Sequence, residues 1–250
     1  MNNQTLFLIQ DTLKKSGYTD YIPISKEILE SKLDVEKVLR RIERNEPWEY
    51  IRGYSMFCNY KIYVNKNVLI PRVETEQMVE IARTLDVENV VDIGTGSGCI
   101  AIALADKFDV VATDISQKAL RVAKKNSRKN NKNIKFVKTN LIQGIKIKPE
   151  TLIIANLPYI PTPIYQHLDS SVKDYEPKLA LDGGEDGNLL YKELFEQIDK
   201  LDIKPKYLLL ETDSRIIKET QKLVQKILKV DSKVIKDYQN LDRFLLIHFS

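Results

Sequence analysis

Two cysteines, two histidines and nine glycines are few for a chain of 250 residues. Cys58 and Cys99 match no redox or zinc spacing, so both are expected to be small buried hydrophobes. His167 and His248 supply too little imidazole for a zinc site or a Ser-His-Asp triad, and no metal is expected. No apolar run approaches the ~18 residues needed to cross a bilayer. Met1 to Lys15 lacks the order and cleavage site of a secretory leader, which points to a cytoplasmic protein with no membrane partner. Charge of one sign is also not in great excess. Thirty-nine basic residues stand against 35 acidic ones, net +4, which demands no stable nucleic-acid partner. The lysines between Lys124 and Lys138 read as a solvated face rather than an RNA or acidic-partner contact.

What is present is ordinary globular material, 43% hydrophobic and 30% charged, enough for one large domain with an appendage. Leu6, Ile9 and Leu13, then Val35, Val38, Leu39 and Ile42 behind a capping Asp34, follow helical spacing. Pro47 is expected to end this helical run. Ile62 and Val64, a turn at Asn65-Lys66-Asn67 and then Val68 to Ile70 suggest a β-hairpin linking two domains. From Thr75, read as a helix cap, short apolar strands alternate with helices. The strands fall near 90–93, 110–112, 134–137, 152–154 and 207–210. Such alternation implies a parallel sheet covered on both faces, closed by an antiparallel pair near 233–238 and 243–249.

Six of the nine glycines fall in two clusters, Gly94, Gly96 and Gly98, and Gly183, Gly184 and Gly187, where unusual backbone is expected. Asp92-Ile93-Gly94-Thr95-Gly96-Ser97-Gly98 follows a strand and opens a helix, the place where open α/β sheets bind ligands. Asp114 closes the next strand, where a carboxylate can accept from both ribose hydroxyls of a nucleoside. The spacing is G-x-G-x-G rather than G-x-G-x-x-G. Asp92 beside the loop suits a cationic ligand better than a pyrophosphate, which favours S-adenosylmethionine over a dinucleotide. Asn140-Leu141 after the third strand reads equally as an adenine contact or as a plain turn.

Asn156-Leu157-Pro158-Tyr159 follows the fourth strand at the same sheet edge. A planar nitrogen is a poor nucleophile because its lone pair is delocalised. Acceptors that hold its two N–H groups turn the lone-pair face toward a methyl donor. The Asn156 side-chain oxygen and the Leu157 carbonyl are suitable acceptors, Pro158 stiffens the loop, and Tyr159 offers a ring for stacking. Asn156 and Tyr159 are therefore the catalytic candidates.

Several segments together resemble the protein-(glutamine-N5) methyltransferases that modify the Gly-Gly-Gln glutamine of peptide chain release factors. They are Glu46 to Gly53, Leu69-Ile70-Pro71-Arg72-Val73-Glu74-Thr75-Glu76, Val91 to Ala105, Asn156 to Ile160, and Glu176 to Gly187. The resemblance implies a Rossmann-like class I S-adenosylmethionine-dependent methyltransferase sheet at residues 75–250. It also implies a helical substrate-docking domain at 1–53 and a linking hairpin at 54–74. Asp92, Gly94, Thr95, Gly96, Ser97, Gly98, Asp114, Asn140, Leu141 and Asn156 would hold the cofactor. Asn156, Leu157, Pro158 and Tyr159 would hold the glutamine, with release factors as partners. Leu157 stands where the family has proline, and Asn140 where it commonly has an acid. Arg72, Glu74 and Glu76 either position the substrate loop or pair with each other. The competing readings are a nucleic-acid amino methyltransferase, a ribosomal-protein glutamine methyltransferase and a non-catalytic cofactor-binding adaptor.

Overall fold

The computed structural model describes residues 3–249. It opens with helices α1 (Asn3–Lys15), α2 (Tyr21–Glu30), α3 (Val35–Ile42) and α4 (Trp48–Arg52). Their apolar stripes close on one another, with Ile9, Leu13, Ile28, Val38, Ile42 and Trp48 buried in a core of their own. Asp34 caps α3 as its sequence suggests, accepting from the Lys37 N–H at 3.2 Å. The sequence gives no clear sign of α2, because Pro23 and Ser25 break its pattern. Pro23 falls in the first turn, where its missing N–H costs nothing. Pro47 does not end the helical run. Its φ of −56° suits a helix start, and α4 begins at the next residue.

The hairpin lies earlier than expected. Strands β1 (Tyr54–Phe57) and β2 (Tyr60–Tyr63) pair antiparallel, with Phe57 opposite Tyr60. Cys58 and Asn59 turn the chain at φ 46° and 67°, the positive angles a tight two-residue hairpin turn needs. Without a glycine, that turn carries no strong sequence signal. The turn at Asn65–Asn67 forms, but Val68 to Ile70 is no strand. Side chains take its backbone groups instead. The Tyr50 hydroxyl donates to the Val68 carbonyl at 2.6 Å, and the Ile70 N–H donates to Glu176 at 3.0 Å.

A seven-stranded sheet follows, in the order β5 (Lys135–Lys138), β4 (Asp109–Asp114), β3 (Asn89–Ile93), β6 (Thr151–Ala155), β7 (Tyr207–Glu211), β9 (Asp242–His248) and β8 (Ser232–Lys236). The first five are parallel, and β9 inserts antiparallel between β7 and β8, so β8 is an edge. Strand neighbours Val90, Leu152 and Ile154 face one core, and Val91, Ile153 and Ala155 face the other. Helices α5 (Glu74–Thr84), α6 (Cys99–Leu104) and α7 (Gln117–Lys129), then α10 (Leu189–Asp199) and α11 (Ile217–Leu228), connect the strands. Two one-turn helices, α8 (Thr162–Tyr165) and α9 (Ser170–Lys173), lie between β6 and α10. Cys99 is buried and Cys58 half-buried, both as free thiols. No helix among the described residues is long and apolar enough to cross a membrane.

Arg72 pairs with neither Glu74 nor Glu76. Its guanidinium meets Glu176, a carboxylate only 4% exposed that also accepts from Ile70. Glu76 instead accepts from the Cys58 N–H at 3.0 Å, which steadies the hairpin turn. Glu176→Ala strands a buried N–H and an arginine together. It is expected to destabilise the fold by about 2–3 kcal/mol in urea unfolding, whereas Glu76→Ala should cost clearly less.

Candidate active site

Strand order reverses between β3 and β6, and this opens a crevice at the carboxyl ends of the strands. A cavity of about 370 Å³ fills it. Of the residues singled out in the sequence, Gly94, Thr95, Gly96, Ser97, Asp114, Asn140, Leu141, Asn156, Leu157 and Pro158 line this cavity. Asp92, Gly98 and Tyr159 stand behind its wall. Tyr159 is half-buried and packs on the core beneath β6 and β7.

The loop after β3 needs its glycines. Gly94, Gly96 and Gly98 have φ of 68°, 53° and 84°, a region in which side-chain-bearing residues are strained. Space is tight as well. A Cβ on Gly94 would sit 2.9 Å from Leu157 Cδ2, and one on Gly98 3.1 Å from Ala123 Cβ of α7. The loop is tied outward by Asn126, fully buried on α7. Its Nδ2 donates to the Ser97 and Tyr63 carbonyls and its Oδ1 accepts from the Tyr63 N–H, joining loop to hairpin.

Three carboxylates mark this edge. Asp92 is 1% exposed, its Oδ2 accepts from the Thr95 hydroxyl at 2.5 Å, and its Oδ1 has no partner. Burial pushes its carboxyl up to about 7, against that hydroxyl. Asp114 accepts from the Ser116 N–H at 2.7 Å and the Gly96 N–H at 2.9 Å, and burial raises its pKa despite both. Ser116 also caps α7, accepting from Ala119 at 3.2 Å. The third carboxylate, Glu211 at the end of β7, was not singled out in the sequence. Its only signal there is a charged residue closing a fully apolar strand at the ligand edge.

Asn140 lines the cavity with its amide Nδ2 donating to Glu193 of α10. An acid thus reaches this corner from a distant part of the chain. Leu141 is buried at φ 53°, with its carbonyl accepting from Thr113 at 3.0 Å.

Asn156 extends from β6 into the cavity wall, and its Nδ2 donates to Thr75 Oγ1 at 3.1 Å. Thr75 is therefore not the cap of α5. It lies inside the first turn, buried, with Val73 at the cap position. The Leu157 side chain is buried against Gly94, and its carbonyl faces the Tyr191 hydroxyl at 3.4 Å.

The second glycine cluster clamps this loop. Ile160 donates to the Leu181 carbonyl at 3.0 Å, Gly183 to Ile160 at 2.8 Å and Thr162 to Gly184 at 2.8 Å. Cβ atoms would stand 2.7 Å from the Pro158 carbonyl at Gly183 and 2.4 Å from the Tyr159 carbonyl at Gly187. Those neighbours are backbone and cannot swing aside.

The methyltransferase small domain family matches residues 51–167, from the hairpin to just beyond the Asn156 loop. The sheet order, the glycine loop and the crevice at the strand reversal define the chain as a Rossmann-like class I methyltransferase. It is 35% identical over 229 residues to the release factor glutamine methyltransferase of Flavobacterium psychrophilum, covering 87% of this chain and 80% of that one. It is 36% identical over 199 residues to the protein of that description from Thermodesulfovibrio yellowstonii, covering 76% and 71%. The chain belongs to the release factor glutamine methyltransferase family. The fold, at 19% identity and a TM-score of 0.53, is shared with a chain of the E. cuniculi Mtq2–Trm112 complex, described as responsible for methylating the eRF1 translation termination factor. That match covers 74% of this chain and 99% of the other.

Gly183→Ala should push the Pro158–Tyr159 backbone out of place. We expect turnover to fall on the order of a hundredfold, while calorimetric binding of S-adenosylmethionine changes little.

Proposed function

We propose that this chain methylates the side-chain amide nitrogen of the glutamine in the Gly-Gly-Gln motif of peptide chain release factors, with S-adenosylmethionine as donor. The observation that carries the reading is Asn156. It lines the cavity at the switch point with its Nδ2 committed to Thr75, which leaves its carbonyl oxygen available as an acceptor.

Residues of the cavity and just behind its wall fit that donor. An unpartnered buried oxygen on Asp92 suits a nearby cation, the Gly94–Gly98 backbone admits close approach, and Asp114 offers a carboxylate for vicinal hydroxyls. Asn140 and Leu141 complete the proposed nucleoside end. When bound, S-adenosylmethionine supplies an electrophilic methyl group. The protein's part is to orient and to exclude water. Asn156 Oδ1 and the Leu157 carbonyl accept the two amide N–H groups of the glutamine, which presents the nitrogen's face along the line of attack. Pro158 keeps that turn stiff and donates nothing that competes. Tyr159 lies outside the cavity lining, so instead of stacking on the amide as its sequence suggests it backs the loop from the core side. The amide proton is lost after the methyl group arrives, so no strong base is required.

Residues 1–53 form the proposed docking unit for the release factor, 54–74 the link and 75–250 the catalytic domain. Across that junction the Asn45 amide donates to Ser170 Oγ at 3.0 Å and the Tyr175 hydroxyl to the Arg44 carbonyl at 2.6 Å. These bonds fix the helical unit beside the loop that follows Asn156.

Mass spectrometry of release factors incubated with the enzyme and S-adenosylmethionine should show one added methyl group on the Gly-Gly-Gln glutamine. Asn156→Ala should slow its appearance about a hundredfold to a thousandfold, the scale of losing one preorganised transition-state contact. Label entering RNA or DNA while the factors stay unmodified would sink the reading.

A further inference from the structure

Glu211 is 1% exposed, closes the interior strand β7 and stands outside the cavity lining. Its Oε2 is buried with no hydrogen-bond partner. A buried carboxylate of this kind is costly, and a methyl-transfer reaction that needs no strong base gives it no direct chemical task. Its neighbours suggest another task. Burial pushes its carboxyl up to about 7, while the nearby Thr75 hydroxyl, Arg243 charge and Asn156 amide pull the other way. Asn156 and Thr75 of the cavity lining thus form one triangle with the buried Glu211 behind them.

That triangle has a directional consequence. A carboxamide has an accepting end and a donating end of nearly the same shape. A hydroxyl such as Thr75 can serve either end, so it cannot set the orientation alone. An ionised carboxylate only accepts, and it can face only the NH₂ end. We propose that Glu211 is a positioning residue that locks the Asn156 carboxamide with its nitrogen inward and its oxygen toward the cavity. This rests on the reading that Asn156 accepts an N–H of the substrate amide. A flipped Asn156 would oppose that amide donor to donor. The unmet Oε2 is the cost of keeping a pure acceptor there.

The lock depends on charge. Protonated Glu211 has an O–H that can bond the Asn156 oxygen and so favour the wrong orientation. With a pKa of about 7, the lock is set above that pH and released below it. The groups that act on Glu211 are Arg243 of β9, which favours its charge, and Glu74 of α5, which opposes it. Tyr159 and Tyr191 face it as neutral phenols whose own pKa values are raised by burial, and the Tyr191 hydroxyl donates to the Glu211 carbonyl.

The test uses the full-length enzyme with an unmodified release factor. Glu211→Gln should lower kcat about tenfold to a hundredfold with little change in KM for S-adenosylmethionine. The native enzyme should lose kcat as pH falls through 7, and the Gln variant should not. Its melting temperature at pH 8 should hold or rise, since a buried charge is removed. Glu211→Asp keeps the charge at shorter reach. It should be slower than wild type yet retain the acid fall in kcat, and it serves where the Gln variant does not fold. Native kcat in the Gln variant overturns the proposal. So does a reduced kcat with the acid fall unchanged, because another group then causes it. If Asn156→Ala also leaves the rate intact, the reading of Asn156 fails. If Asn156→Ala is slow and Glu211→Gln is not, only the role of Glu211 fails.

Discussion

Burying carboxylates without matching cations is the constraint around which this molecule is arranged. Asp92, Asp114 and Glu211 stand at the carboxyl edge of β3, β4 and β7, all desolvated. Each is handled differently. Asp114 is satisfied by two backbone N–H groups, one from Gly96 of the glycine loop and one from Ser116 in its own turn. Asp92 has one hydroxyl and one idle oxygen, and Glu211 has polar side-chain neighbours and one idle oxygen. Idle buried acceptors are rare in folded proteins. Two of them, on Asp92 and Glu211, lie along one sheet edge just outside the cavity lining.

Glycine scarcity is the geometric counterpart. The chain places three glycines where the backbone turns left-handed at the cavity, two more, Gly183 and Gly187, where backbone presses on the Asn156 loop, and Gly184 between them against Leu189. Elsewhere the left-handed turns fall to Gly17, Gly53 and Gly144 and to asparagines such as Asn45, Asn59, Asn131 and Asn240. The two glycine clusters therefore mark the two halves of one site, joined through Leu157 and Gly94.

The parallel strands were legible in the sequence because each is a short apolar run closed by a turn or an acid, a pattern that a helix of that length cannot hide. The glycine loop, Asp114 and the Asn156 loop were legible for the same reason, since their place after a strand fixes their place at the edge. What escaped notice depended on neighbours distant in sequence. Val68 to Ile70 looks like a strand until Glu176 and Tyr50 claim its backbone. Thr75 looks like a cap until Asn156 claims its hydroxyl. Glu211 looks like the end of a buried strand, and only the fold shows that Asn156 and Thr75 lie beside it. Pro47 misled because proline stops one helix and starts another equally well.

The contact between Leu157 and Gly94 also bears on how such a sequence can change. The two residues lie on different loops, one proposed to serve the donor and one the acceptor, yet each fixes the room left for the other. A drift to proline at 157 would withdraw the branched end that packs against Gly94, whereas alanine at 94 is strained by its positive φ whatever stands at 157. A graft that moves either loop alone into a related scaffold therefore carries half of a joint.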